Sequence, residues 1–90
     1  MKLRSTRNFD LRIRGILRKN PSLAEEVRDI VKQVVAGDNL EGLRIHKLKG
    51  SQKMFWSVSV NPDLRIIFYC QKDVIVLADV GTHKDVYEKN

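Results

Sequence analysis

One cysteine, two histidines and two prolines are all that this 90-residue chain holds of three residue types on which much protein chemistry depends. With Cys70 alone, neither an internal disulfide nor a cysteine-based zinc site can form, and Cys70 reads as a small apolar residue ending a strand. Two histidines are too few for an ordinary zinc site, and the carboxylates are scattered without paired metal-ligand spacing, so no metal and no cofactor is expected. There is no phosphate-cradling glycine loop, no Ser/His/Asp arrangement and no cysteine nucleophile. The longest unbroken apolar run, VIVLA at 74–78, is far short of a membrane span, and MKLRSTRNF lacks the apolar segment of a secretory signal. The expectation is a cytoplasmic protein. Without linker, repeat or low-complexity stretch, residues 1–90 should form one domain with a single core.

Acidic residues are also scarce: 17 Lys and Arg face 11 Asp and Glu, for a net charge of +6. Their distribution is uneven. Residues 1–20 hold seven cations against one acid and residues 44–72 six against one, whereas 21–43 are net negative by three and 73–90 by two. Two basic blocks around an acidic helix suggest one positive face, suited to a polyanion or an acidic protein partner.

Periodicity gives an element order. KLRS can form a short strand. From Arg7 to Asn20 the apolar residues Phe9, Ile13, Ile16 and Leu17 recur at helical spacing, with Arg12, Arg14, Arg18 and Lys19 mostly outside. Asn20 precedes Pro21 and should end that helix, because a residue before proline avoids helical backbone angles. Ser22 with Glu25 three residues on is a capping-box pattern opening a second helix, whose stripe runs Leu23, Val27, Ile30, Val31, Val34 and Val35 until Gly37 stops it. LRIHKLK, MFWSVSV, LRIIFYC and VIVLADV then read as strands separated by short turns, NPD at 61–63 and QKD at 71–73. The expected fold is α+β, in the order β-α-α-β-β-β-β, with a helical hairpin on one face of a small, mainly antiparallel twisted sheet.

Four places carry polar side chains that a bare scaffold does not require. In RIHKLKG, Arg44, His46, Lys47 and Lys49 crowd one short strand, where alternation sets Lys47 and Lys49 on one face and His46 on the other. Arg65 lies among apolar residues. It either pairs with an acid such as Asp63 or Asp79 or faces an open anion-binding surface, with Tyr69 beside it and Ile66 and Phe68 turned to the helices. Trp56 should join Val58 and Val60 in the core, leaving Phe55 on the Ser57 and Ser59 side, where it could support a base or a partner helix. His83 and Tyr87 are four apart and meet if the tail forms a helical turn. Together these groups could cleave RNA through its own 2′-hydroxyl, which needs a base, cations for the phosphate oxygens and an acid for the leaving 5′-oxygen, without metal. Composition permits such a ribonuclease without selecting it over simple RNA binding.

HKLKG, WSVSV, DLRIIF and VGTHKDVY, in that order and spacing after two helices, resemble the RelE/ParE toxin superfamily, most closely its RelE and YafQ-type messenger-RNA interferases. The resemblance implies a microbial-RNase-like fold, ribosome-dependent cleavage of messenger RNA and restraint by a cognate antitoxin. It further implies that His46 stands at a catalytic histidine, Asp63 at an acid before the next strand, Arg65 at a phosphate-binding arginine, His83 at the C-terminal general acid or base and Tyr87 at an aromatic position behind it. Arg44, Lys47 and Lys49 would hold RNA. Similar toxins read GTHDEVY or GTHDDVY, whereas Lys84 stands here in place of an acid, and an extra positive charge favours a neutral His83. Two alternatives share the fold: a ParE-like poison of DNA gyrase, which needs none of the histidines, and a module that binds RNA without turnover.

Overall fold

The computed structural model describes residues 2–37, 55–82 and, for the backbone alone, 46–47; the positions of Arg44, Lys49, His83, Lys84 and Tyr87 lie outside the described residues. The order is β1 (Lys2–Ser5), α1 (Arg7–Lys19), α2 (Leu23–Ala36), β2 (His46–Lys47), β3 (Trp56–Ser59), β4 (Arg65–Gln71) and β5 (Val74–Gly81). β2, β3, β4 and β5 are successive antiparallel neighbours, and β1 adds to the other side of β5 in parallel, giving the sheet order β1-β5-β4-β3-β2. This is the α+β arrangement that periodicity led us to expect. Among the described residues no helix is long and apolar enough to cross a membrane.

Alternation decides which side of the sheet the helices cover. Val58, Ile66, Phe68, Ile75, Leu77 and Val80 form one core with Phe9 of α1 and with Val27 and Val34 of α2, and Trp56 and Val60 pack against it as expected. Burying each such aliphatic side chain contributes roughly 1.5–3 kcal/mol before the entropy of ordering is counted. One irregularity interrupts the pattern. Ile67 opposes Asp79 while Phe68 opposes Leu77, so Ala78 is the extra residue of a β-bulge. The bulge shifts the phase of β5 and returns Val80, fully buried, to the core.

The helix ends differ from expectation at one cap. Thr6 is the N-cap of α1: its Oγ1 accepts from the Phe9 amide at 3.1 Å and donates to the Ala78 carbonyl at 2.8 Å, fastening the helix start to the bulge. Ser22 precedes α2 in a helical conformation and makes no side-chain cap. The reason is local. The first amides of α2 are taken by backbone carbonyls, Leu23 to Asn20 at 3.1 Å and Ala24 to Pro21 at 3.1 Å, and the Ser22 hydroxyl donates to the Asn20 side chain at 2.8 Å. Thr6→Ala should therefore lower the unfolding free energy by about 1–2 kcal/mol and Ser22→Ala by no more than about 0.5, measured by urea denaturation; equal losses would contradict the assignment of caps. Gly37 closes α2 in the left-handed conformation, φ 73°, with its amide bonded back to Gln33 and Val34.

Candidate active site

The face of the sheet away from the helices is set by the same pleat. On β4, Arg65, Ile67 and Tyr69 alternate with the core residues Ile66 and Phe68. Arg65 Nε donates to Ser57 Oγ at 2.5 Å, from β4 to β3. Asp79, the other acid considered for Arg65, is engaged elsewhere: its Oδ1 lies 3.4 Å from Arg12 Nε and accepts from the Val80 amide at 2.8 Å. Phe55 and Tyr69 meet on the same face with ring centroids 5.4 Å apart and planes at 89°. Tyr69 beside Arg65 and Phe55 on the serine side are as alternation implied. The face is less open than expected, because Ser57 is fully buried and Ile67 and Val76 are at most 9% exposed, with Arg65 itself half-buried. A cation held this way keeps a fixed position and is poorly screened by solvent.

Asp63 comes from a tight turn built by Asn61. The Asn61 side-chain oxygen accepts from the amides of Asp63 and Leu64, each at 2.8 Å, and the Val60 amide donates to the Leu64 carbonyl at 2.8 Å. Asp63 is exposed at the mouth of a 310 Å³ cleft that also touches Asn20, Gly81 and Thr82. Across the sheet Gly81 is the register partner of Arg65, and Thr82 then joins it to His83 in the chain. Asp63, Arg65 and the end of β5 therefore lie at one edge of the molecule.

The short β2 enters through its register. His46 opposes Ser57 and Lys47 opposes Trp56, so position 46 belongs to the face carrying Ser57 and Arg65, and position 47 to the helix-covered face of Trp56. Alternation had separated His46 from Lys47, and the register does the same. Arg44, Lys49, His83 and Tyr87, the remaining candidates, fall outside the described residues. Ser57 is the participant that sequence reasoning passed over. Its signal was present, a serine on the same face as an arginine of the next strand, but the hydrogen bond depends on a register that only pairing reveals.

A family profile described as bacterial toxin of type II toxin-antitoxin system, YafQ, matches residues 1–88. No curated protein matches the chain by sequence. Among solved structures, a metal-bound toxin from Helicobacter pylori is similar with a TM-score of 0.85 at 20% identity, over 97% of this chain and 99% of that one. YafQ in the DinJ-YafQ complex of Escherichia coli is similar with a TM-score of 0.82 at 14% identity, over 96% and 97%. The YoeB-YefM complex of Staphylococcus aureus gives a TM-score of 0.77 at 17% identity, over 92% and 97%. At these identities the structures establish a shared fold.

Proposed function

The chain belongs to the YafQ family of bacterial toxins of type II toxin-antitoxin systems, and from that premise we propose that it is an endoribonuclease that cleaves messenger RNA on the ribosome and is neutralised by a cognate antitoxin. The observation that carries this reading is the convergence on Ser57, which accepts from Arg65 and has His46 as its register partner. Arg65 binds the scissile phosphate, and the charge that builds on its oxygens in the transition state falls beside a guanidinium already held in place. One histidine removes the proton of the 2′-hydroxyl, that oxygen attacks phosphorus, and the other protonates the departing 5′-oxygen. His46 and His83 fill those two roles. The carboxylate of Asp63 orients a histidine or the attacking hydroxyl from the turn, and Tyr87 packs against the substrate behind His83. Arg44 and Lys49 hold flanking phosphates, and Lys47, in register with Trp56, adds its charge to the basic margin. The DinJ-YafQ and YoeB-YefM complexes motivate the antitoxin as partner.

Inducing the chain without its antitoxin should halt growth and leave cuts within translated messages, mapped by primer extension, while gyrase supercoiling proceeds normally. Intact messages with inhibited supercoiling would favour a gyrase poison instead. Salt-sensitive RNA binding without cuts would favour a module that only binds.

A further inference from the structure

The ribonuclease reading uses Arg65 and leaves the other end of β4 unexplained. There Phe55 and Tyr69 form a right-angled corner, both rings half-buried, beside a recess of 360 Å³ that, among the described residues, Cys70 and Gln71 also line. We infer that this corner is a base-stacking subsite for a nucleobase of the message that is not itself at the point of cleavage, an inference that rests on the ribonuclease reading above.

Three features point to a base as occupant. A T-shaped pair leaves room for a flat ring to lie against one aromatic face while its edge meets the other, and stacking on aromatic rings is how proteins hold single-stranded bases whatever their identity. Gln71, exposed at the rim, offers both a donor and an acceptor, which suits the mixed edge of a base better than an aliphatic side chain. The corner also continues the candidate active site. Tyr69 and Arg65 share one face of one strand, four residues apart and so separated by about 13 Å. That distance is longer than a hydrogen bond to the scissile phosphate can span, so a strand with its reacting phosphate on Arg65 would reach the corner with a neighbouring, unreacting base. Half-burial of the rings means little side-chain freedom remains to be lost on binding.

The test uses single-turnover cleavage of defined messages on programmed ribosomes. Tyr69→Ala should raise the toxin concentration giving half-maximal rate by about tenfold, with the larger share of the effect on that concentration and the smaller on the maximal rate. Tyr69→Phe should restore it, since stacking does not need the hydroxyl. A message carrying an abasic nucleotide, walked through the positions flanking the cut, should cost the wild type the same factor at one position, and Tyr69→Ala should lose nothing further there. Losses that multiply at every position would mean the rings contact protein instead of a base and would overturn the inference, as would a Tyr69→Ala protein equal to wild type. If the wild type itself leaves every message intact, the ribonuclease reading fails and the subsite with it.

Discussion

Arg65→Ala should cleave translated message about 100- to 1,000-fold more slowly than the parent, the loss expected when one preorganised donor to developing negative charge is removed. The argument rests on where the guanidinium is fixed. Its Nε is committed to the hydroxyl of Ser57, and Ser57 is fully buried, so the side chain is tied to the sheet and does not sweep solvent. Arg65→Lys should recover only part of the rate, because an ammonium keeps the charge but not the planar fork that reaches serine and phosphate together. Ser57→Ala should fall between wild type and Arg65→Lys, because it loosens the arginine without removing it. Thermal unfolding measured alongside separates the two meanings of a loss: if Arg65→Ala retains its full rate, or loses rate only in proportion to folded protein, Arg65 does not contact the reacting phosphate.

His83→Ala should lower cleavage by roughly 100- to 10,000-fold, the range for removing a general acid or base. His46→Ala should fall within the same range, and the double variant should be far less impaired than the product of the single losses, because groups acting in one proton-transfer sequence do not add. The register gives His46 a specific connection, opposite the serine that holds Arg65. His83 follows Thr82 beyond Gly81, the partner of Arg65 across the sheet. A His83→Ala protein as toxic as the parent, with the same message cuts, would remove His83 from the chemistry. Multiplying losses would assign the two histidines to separate steps.

How much of this was legible beforehand varies by element. α1 could be read because its apolar residues recur every three or four positions and Asn20 precedes proline, and it ends at Lys19 with Asn20 as its C-cap. Trp56, Val58 and Val60 could be assigned to the core because a strand alternates strictly. The capping box at Ser22 was misread for the opposite reason: the pattern specifies which side chain can cap, and the backbone carbonyls of Asn20 and Pro21 had already taken the amides. At the candidate site, the faces of Arg65, Tyr69 and Phe55 followed from alternation. The partner of Arg65 did not, since two acids and an open surface were all compatible with the local sequence.

Thr6 and Arg12 show the same division within one helix. The periodicity of α1 placed Phe9, Ile13 and Ile16 inward, but nothing in that segment announced that Thr6 would bond to Ala78 or that Arg12 would meet Asp79. Both contacts join residues more than sixty positions apart, one at the bulge residue Ala78 and the other at the residue that follows it.

By itself, then, the sequence determined the order of helices and strands, the side each residue takes where its element is regular, the basic balance of the chain and the residue types available for proton transfer. These follow from backbone geometry that repeats every two residues in a strand and every 3.6 in a helix, so a few neighbours suffice to read them. Only the tertiary structure decided that His46 lies opposite Ser57, that Ser57 accepts from Arg65, and that one extra residue in β5 returns Val80 to the core and sets Gly81 against Arg65. Each of these is a pairing between distant segments, chosen by which register buries the most apolar surface while satisfying the backbone, and slipping it by one residue would turn every side chain of a strand to the other face.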